Sequence, residues 1–313
     1  MKRFFICAAA AIVALASCSK TEVVNTSAPE EIGFKAVTGV MTKALGDQNH
    51  TTMGVFADYT ADQADYFGNT EFAEGDNNVW TGTTAQYWPL SGSLDFALYA
   101  PFAQSGVSRT YTSAAVNTMS ITVDNSTAKT DWLYGTAVIT SDKNNNAMPV
   151  ALRHALAKIN AFVQADLDGL KVISLVVTET VQNGVLTVDY AGIDADLTDG
   201  DSRLSWTIAN DVITKNRTLV SEETLTANTP VSGSCYVIPS DQTSLVLTYS
   251  LPDSANELTY THDLGTAEWV DGKSYTYNIT IGVNEIKFQP NVDDWAPVPA
   301  DDIIIDPNTP NNN

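Results

Sequence analysis

Cysteine is scarce in this sequence, which contains three cysteines in 313 residues. Cys7 lies within an apolar N-terminal run, and Cys18 follows directly after that run. Only Cys235 is left in the body of the chain, so no internal disulfide can form there. The body must therefore be stabilised by packing alone, and we predict that Cys235 is a small buried hydrophobic residue.

Basic residues are also scarce, because 16 lysines and arginines stand against 37 aspartates and glutamates, a formal net charge of −21. This balance excludes nucleic acid as a partner, since phosphate binding needs a basic surface. It also disfavours docking on anionic lipid. Hydrophobic residues make up 44% of the chain, which is enough for real cores, and 313 residues suit two domains of ordinary size.

The sequence has few residues that could carry chemistry. His50, His154 and His262 are its only histidines, and they lack the close spacing of a zinc site. No GxSxG or P-loop pattern occurs. The acidic run Asp194–Asp201 lacks the Gly at position six and the Glu at position twelve of a calcium loop, so we interpret it as a solvated turn. We predict no enzyme, no catalytic or metal-binding residue and no cofactor, with His154 in a structural role.

Five aromatic residues in the first half could in principle form a sugar-stacking surface. They occur within predicted strands, often in alternation with polar residues, which favours core packing over an exposed platform. The five are Trp80, Tyr87, Trp88, Tyr99 and Trp132.

The N-terminus has the pattern of an export signal. Lys2 and Arg3 precede an apolar run at Phe4–Ala16 that is short for a membrane span. The run ends in the letters LASC, which resemble the lipobox of bacterial lipoproteins and place the acylated thiol at Cys18. We predict a signal peptide at 1–17 and lipidation of Cys18; the alternative is an ordinary signal peptide with a chance cysteine.

Short strands and turn signals dominate the rest of the chain, and no long helical period interrupts them. This spacing predicts an all-β fold of sandwich type rather than βαβ units. We predict an N-terminal sandwich domain at 44–167 and a C-terminal one at 168–285, with Ser141–Pro149 as a loop. The stretch Pro149–Leu167 fits one helical face but also alternates, and we interpret its second half, 158–166, as a strand.

The segment Glu30–Val40 alternates like a strand that would bury apolar side chains. We predict that Ile32, Phe34, Ala36 and Val40 are the residues of the strand that another strand would displace. Burial of the large side chains and the ladder hydrogen bonds together contribute about 10 kcal/mol. A domain that lost this strand would expose a hydrophobic cleft with unpaired backbone, and another chain could bind there by adding a strand.

Lys43 follows this strand as a single basic residue among small and polar residues. We predict proteolytic cleavage between Lys43 and Ala44, because the following Gly-, Asp- and Asn-rich stretch should be exposed. The alternative is an ordinary solvent-facing lysine. Lys35 is the less suitable site, since it lies within the predicted strand.

Several motifs together resemble the fimbrillins of type V pili, which are surface lipoproteins of Gram-negative bacteria. Each motif is loose alone, but their order and spacing are fairly specific and cover most of the chain. In chain order they are LASC at Leu15–Cys18, IGF…TKA within Ile32–Ala44, MGVFADY at Met53–Tyr59, YWPLSGSLDFALYAP at Tyr87–Pro101, HALAKINAFV at His154–Val163, GKSYTYNITIGV at Gly272–Val283 and VDDW at Val292–Trp295.

The resemblance implies two tandem transthyretin-like β-sandwich domains with Greek-key-type strands. It also implies export as an outer-membrane lipoprotein, with a lipidated propeptide at 18–43 that a Lys- or Arg-specific protease removes. The partners it implies are other pilin subunits, the trimming protease and the lipoprotein-processing machinery. Family members include tip and accessory adhesins as well, for which a host glycan or protein would be the ligand.

In the implied assembly, a C-terminal strand of a neighbouring subunit fills the groove left by the first strand. The sequence offers two candidates within the predicted tail at 286–313. One is EIKF, with Ile286 and Phe288, which repeats the spacing of Ile32 and Phe34 in EIGF. The other is DIIID, with Ile303, Ile304 and Ile305. The alternative for EIKF is that it completes the second domain's own sheet, which would make the tail the better donor.

Overall fold

The structure is a computed structural model, and it describes eleven segments of the chain. They are residues 30–36, 50–59, 64–76, 79–113, 116–125, 130–139, 148–150, 152–190, 204–208, 214–282 and 286–294. These segments contain no α-helix, so the prediction of an all-β chain is confirmed. Accordingly, no helix within them is long and apolar enough to cross a membrane.

The described segments contain twenty-two strands. The first eleven are β1 (Gly33–Ala36), β2 (Thr52–Tyr59), β3 (Ala64–Glu74), β4 (Val79–Gly82), β5 (Leu94–Ala100), β6 (Val107–Ser113), β7 (Val116–Asp124), β8 (Leu133–Ile139), β9 (Met148–Val150), β10 (Arg153–His154) and β11 (Ala157–Ala165). The others are β12 (Lys171–Val181), β13 (Asn183–Asp189), β14 (Leu204–Thr207), β15 (Thr214–Thr224), β16 (Val231–Val237), β17 (Ser240–Asp241), β18 (Ser244–Ser250), β19 (Glu257–Asp263), β20 (Glu268–Trp269), β21 (Lys273–Ile281) and β22 (Ile286–Asp294).

The largest sheet has eight strands in the order β10-β8-β5-β2-β3-β4-β1-β9. Every neighbouring pair is antiparallel except β1 and β9, which run parallel. Side chains from seven of its strands meet in one buried cluster, which means that the sheet curls around its own core. The two end strands, β9 and β10, are separated by only two residues of chain.

A second sheet, β14-β13-β7-β6, packs on the other face of the large one. β2 and β5 are buried on both faces, so side chains such as Phe56 and Tyr99 point away from the first core and into this second interface. They meet Met119 and Ile121 of β7 and Leu186 of β13 there. The result is the layered packing expected of a β-sandwich.

A second sandwich consists of the sheets β16-β11-β21-β22 and β15-β12-β18-β19. Along β11 the buried side chains alternate with outward ones: Ile159, Ala161 and Val163 are buried, whereas Phe162 is exposed. The strand interpretation of 158–166 is therefore confirmed over Ala157–Ala165, and the alternative helical face is wrong. Cys235 of β16 is buried in this core and is not in a disulfide, as predicted.

Strand pairing crosses the domain boundary that the sequence suggested after Leu167. β11 precedes that position, yet it pairs with β16 and β21 of the second sandwich. β13 and β14 follow it, yet β13 pairs with β7 of the first. The boundary at Leu167 stays a prediction. Strands that precede it and strands that follow it both contribute to each of the two sandwiches.

The structure also corrects one loop prediction, and it confirms the predicted burial of aromatic residues only in part. Ser141–Pro149 was expected to be a loop, but Met148 and Pro149 belong to β9. Trp80, Trp88 and Tyr99 are buried as predicted, whereas Tyr87 is 43% exposed and Trp132 is half-buried. The interpreted acidic turn at Asp194–Asp201 lies outside the described residues.

Three carboxylates lie side by side across neighbouring strands of the large sheet. Asp58 of β2 is in register with Asp65 of β3 and with Asp95 of β5. Arg109 of β6 reaches two of them, with its Nε 2.5 Å from Asp58 Oδ2 and an Nη 3.4 Å from Asp95 Oδ1. The Arg109 guanidinium also lies over the Tyr190 ring. This buried ion pair joins edge strand β6 to the large sheet.

The charges of this row do not cancel, because Arg109 carries one positive charge and the row contains three carboxylates. Burial raises the pKa of Asp58 to about 6, and the nearby Asp65 and Asp95 raise it too, whereas Arg109 lowers it. Burial likewise raises the pKa of Asp95, against the effect of Arg109 and Asn117. At neutral pH Asp58 is ionised in the folded chain, and its burial then lowers the free energy of unfolding relative to a chain in which this carboxyl is protonated.

We expect Asp58→Asn to remove part of the pH dependence of stability. A carboxyl whose pKa rises from 3.8 to about 6 on folding holds its proton more tightly in the folded state. Its contribution to the free energy of unfolding therefore increases as the pH falls from about 6 towards 3.8. Thermal unfolding at about pH 7 and about pH 5 should show a larger gain in Tm at the lower pH for the unaltered chain than for Asp58→Asn.

The matched control is Asp241→Asn, which changes an exposed carboxylate in β17. It should leave the difference in Tm between the two pH values as it is in the unaltered chain. Identical pH profiles for Asp58→Asn and the unaltered chain would contradict the proposed role of the buried row.

Candidate functional site

β1 lies inside the large sheet and is paired along both of its edges. On one side it runs antiparallel to β4, with Phe34 opposite Trp80. On the other side it runs parallel to β9, with Phe34 opposite Met148 and Ala36 opposite Val150. Removal of β1 would therefore leave two strands with unpaired edges facing each other, which is an arrangement that accepts another strand.

The residues just before β1 are also paired. The Ile32 amide donates a hydrogen bond to the Gln86 carbonyl at 2.7 Å, and the Trp88 amide donates to the Glu30 carbonyl at 2.9 Å. These two bonds flank an antiparallel bridge between Glu31 and Tyr87. The groove is thus the space that Glu30–Ala36 occupies between β4, β9 and the segment Gln86–Trp88.

Two side chains of this strand fill the first core. Ile32 and Phe34 are completely buried. The Phe34 ring makes edge-to-face contacts with Phe72 and Phe96, at centroid distances of 5.2 Å and 5.3 Å. Each buried side chain contributes about 1.5–3 kcal/mol, and each backbone hydrogen bond about 0.5–1.5 kcal/mol net. The neighbouring Lys35 is exposed, so the strand has one inward and one outward face.

The groove has an aromatic wall. Trp80 is completely buried, and its indole N–H has no hydrogen-bond partner within the described part of the chain. Trp88 packs edge-on against Phe96 at 5.9 Å. The Tyr66 hydroxyl donates a hydrogen bond to the Tyr87 carbonyl at 2.7 Å, which holds the segment Gln86–Trp88 against β3. Without Ile32 and Phe34, this wall would line a large apolar cavity.

The structure places some of the predicted site residues and leaves others outside its description. Ile32, Phe34 and Ala36 all lie in the paired segment, with Ala36 at the end of β1. Val40, Cys18, Lys43 and Ala44 lie outside the described residues, as do Ile303, Ile304 and Ile305. Displacement, lipidation, cleavage and donation therefore stay predictions.

Ile286 and Phe288 lie in β22, which pairs antiparallel with β21 at the edge of the second sandwich. Both side chains pack against the second core. The Phe288 ring stacks on Tyr260 at 5.5 Å and on His262 at 4.2 Å. In this chain EIKF therefore completes the second domain's own sheet, as the alternative interpretation expected.

Two of the three histidines, His50 and His154, are buried. His154 is buried, and its Nδ1 lies 3.0 Å from a carboxylate oxygen of Asp131, which is also buried. His50 lies beside this pair, and burial lowers its pKa while Asp131 raises it. No group of three or more potential metal ligands occurs within the described segments. The sequence did not indicate Asp131 as the partner, because 23 residues separate it from His154.

Sequence reasoning also missed two sides of the groove. β9 is only three residues long and follows a stretch of polar residues, so its role as the parallel neighbour of β1 has no local signal. Tyr87 and Trp88 are conspicuous in the sequence only as aromatic residues. The backbone pairing of this segment with Glu30–Ile32 joins residues such as Glu31 and Tyr87, which lie 56 positions apart in the chain. Both features arise from tertiary packing.

Comparison with known proteins agrees with this architecture. The model of the fimbrillin-like family matches residues 41–295, which is most of the chain. The chain belongs to the fimbrillin-like family. The matched residues begin after β1 and just before Lys43.

Individual relatives are distant in sequence but similar in extent. A candidate fimbrium subunit of Bacteroides uniformis, Fim1C, is 23% identical, over 95% of this chain and 96% of that protein. A solved candidate cell adhesion protein from Bacteroides uniformis has a TM-score of 0.57 at 17% identity, and a fimbrial protein from Bacteroides vulgatus has 0.55 at 15%. Each match covers 85% of this chain and 99% of the other. These two likenesses show that the fold is shared.

We expect Phe34→Ala to destabilise the uncut chain by about 3–5 kcal/mol, because it leaves a cavity among Phe72, Trp80 and Phe96. Lys35→Ala is the matched control: it changes an exposed side chain in the same strand and should alter stability by less than about 0.5 kcal/mol. Urea unfolding followed by tryptophan fluorescence measures both. Equal stabilities of the two variants would show that β1 is not an integral part of the core.

Proposed function

We propose that this protein is a structural subunit of a cell-surface fimbria, and that it polymerises by exchange of β1 for a strand of a neighbouring subunit. The observation that carries the proposal is the position of β1 between β4 and β9, with Ile32 and Phe34 buried in the core. Membership of the fimbrillin-like family supports the fimbrial role. The groove supports the means of assembly, since its occupant lies on the N-terminal side of the proposed cut after Lys43.

Export as a lipoprotein precedes assembly in this proposal. The thiol of Cys18 takes the lipid and anchors the chain in the outer membrane through the propeptide. Cleavage after Lys43 then separates Ala44 and the rest of the body from Cys18 and from β1. After this cut β1 is held by non-covalent contacts alone, so an incoming strand can replace it without breaking a peptide bond.

The geometry favours Lys43 over Lys35 as the cut site. The backbone of Lys35 is paired with Val79 on one side and Pro149 on the other. A protease needs an extended, accessible backbone, and a strand in the middle of a sheet does not provide one. A cut after Lys35 would also leave Ala36 attached to the body and inside the groove.

The tail at Asp302–Asp306 is the donor we propose. Side chains two positions apart share one face of a strand, so Ile303 and Ile305 match the spacing of Ile32 and Phe34. Ile286 and Phe288 have the same spacing, but their strand already forms nine register pairs with β21. A donor in the tail leaves the second sandwich intact during exchange.

Assembly of this kind is head-to-tail. Each subunit would accept a strand in its first sandwich and offer one from its C-terminus, and a heterologous contact that does not close on itself produces a filament. A tip or accessory adhesin of the same fimbria is a second candidate function. The outer face of the sheet β16-β11-β21-β22, on which Phe162 is 41% exposed, favours this second candidate.

Lys43→Ala should keep the chain monomeric, because β1 then stays covalently attached and re-enters its own groove. Lys35→Ala is the control, since it removes the other basic residue of this region and should polymerise normally. Size-exclusion chromatography and mass spectrometry of surface-derived protein measure polymer and N-terminus together, and a lipid mass on Cys18 should appear on the uncut form. Polymers of Lys43→Ala with an unchanged N-terminus would contradict the proposed cut.

The double change Ile303→Ser and Ile305→Ser should stop elongation while the subunit still folds. The control Ile304→Ser lies on the opposite face of the same strand and should have a smaller effect. Polymer length in electron micrographs of purified fimbriae provides the measurement. Fibres of normal length from the double variant would exclude the tail as the donor. The segment with Ile286 and Phe288 would then be the remaining candidate for the donor strand.

A further inference from the structure

The sheet β16-β11-β21-β22 has an outer face that points away from the second core. Cross-strand register defines its rows, because paired residues in neighbouring strands share a face. In the central row, Phe162 of β11 lies between Ser232 of β16 and Asn278 of β21, and Asn278 pairs with Gln289 of β22. The next row consists of Ser234, Asn160, Thr276 and Asn291.

Amide side chains are unusually frequent on this face. Five asparagines and glutamines point outward from its strands, although asparagine is depleted in strands because it competes with the backbone for hydrogen bonds. The five are Asn160, Gln164, Asn278, Gln289 and Asn291. The outer face of the other sheet in this sandwich has no such set: its central rows pair Val176 with Val246 and Ser174 with Thr248. Strand formation alone therefore does not account for the five amides on this face.

The amides divide into two groups by their hydrogen bonds. Asn160 donates to the Ser274 hydroxyl at 2.9 Å, Gln164 donates to the Thr280 hydroxyl at 3.1 Å, and Asn291 donates to the Asp293 carboxylate at 2.7 Å, so these three are held in place. The side chains of Asn278 and Gln289 have no hydrogen bond within the described part of the chain, and both are exposed. Their donors and acceptors are available to a ligand.

Phe162 lies at the centre of this polar surface and is 41% exposed. Ser232 and Asn278 flank it in register, so the ring has hydroxyl and amide groups on both sides. An exposed aromatic face next to unpaired amides combines an apolar contact area with directional hydrogen bonds, as small-molecule sites do.

The charge of the face restricts the ligand. The two central rows contain no charged residue in a chain of net charge −21. Lys158, Lys287 and Asp293 lie in the two outer rows, and the Asp293 carboxylate accepts a hydrogen bond from Asn291. The row of Phe162 itself offers no carboxylate to a cationic ligand and no arginine or lysine to an anionic one. The face matches a neutral, hydroxyl-rich ligand.

We propose that this face, centred on Phe162, binds a neutral oligosaccharide. The apolar side of a sugar ring stacks on Phe162, and its hydroxyls exchange hydrogen bonds with Asn278, Gln289 and Ser232. The four strands present these groups in a row, at about 4.8 Å per strand, which suits an extended ligand rather than a single sugar. The site lies in the second sandwich, so binding by a single chain does not require strand exchange, whereas the gain from many copies rests on the proposed fimbria.

Binding at one open face is weak, and repetition compensates for it. Many copies in a fimbria would raise the overall affinity by roughly 10²–10⁴-fold without any new contact. The experiment therefore uses the full chain attached densely to fluorescent beads, on an array of neutral oligosaccharides made from glucose, galactose, mannose and N-acetylhexosamines. Sialylated and sulfated oligosaccharides on the same array test the charge argument.

We expect binding to a subset of the neutral oligosaccharides. Phe162→Ala and Asn278→Ala should each reduce bead binding at least about tenfold, a loss typical of a central contact residue, whereas Phe162→Trp should retain it. The control is Thr259→Ala, an exposed residue of β19 on the other sheet, which should bind like the unaltered chain. Unchanged circular dichroism and Tm would show that the variants are folded.

Three outcomes would overturn the proposal: no binding to any neutral oligosaccharide, binding that Phe162→Ala leaves unchanged, or binding restricted to charged oligosaccharides. A fourth is self-association of the chain through this face, detected as a concentration-dependent increase in mass that Phe162→Ala abolishes. The bead assay measures ligand binding by the full chain. Its result would therefore be the same whether or not the assembly experiments detect strand exchange.

Discussion

The insertion of β1 between β4 and β9 is the contact on which the first sandwich depends. This strand joins an antiparallel neighbour to a parallel one, and its Ile32 and Phe34 side chains fill the space inside the curled sheet. Because the strand contacts β4, β9 and the core only non-covalently, a single cut in the chain after it would make it separable from the rest of the fold. A core with one separable member is the physical basis for assembly by exchange.

The two sandwiches have different features on their surfaces. The first contains the groove and the buried row of Asp58, Asp65 and Asp95 with Arg109, where a charge imbalance is held between two sheets. The second exposes an amide-rich face around Phe162, whose two central rows contain no charged residue. The two proposals, assembly at the groove and ligand contact at the Phe162 face, therefore concern separate parts of the molecule, so neither needs to interfere with the other.

Local patterns predicted strands well where one face of the strand is buried and the other is not. The alternation in β1 predicted a strand for this reason, and the alternation in β11 predicted one against a competing helical pattern. Where context determines the structure, the patterns did not suffice. Met148–Val150 is a strand only because β1 lies beside it. Tyr87 is exposed despite aromatic neighbours that are buried, because its segment pairs with Glu31 at the sheet's margin.

The sequence by itself determined an acidic, all-β chain with an inward Ile32 and Phe34, because composition and side-chain period can be read without knowing which strands pair. Its resemblance to the fimbrillins came separately, from the order and spacing of short motifs. Only the tertiary structure decided which strands flank β1, that Ile286 and Phe288 belong to the chain's own second sheet, and which outward residues surround Phe162. The physical reason is that strand pairing joins segments far apart in the chain, and the energy that selects one partner over another comes from cores that form only once all strands are in place.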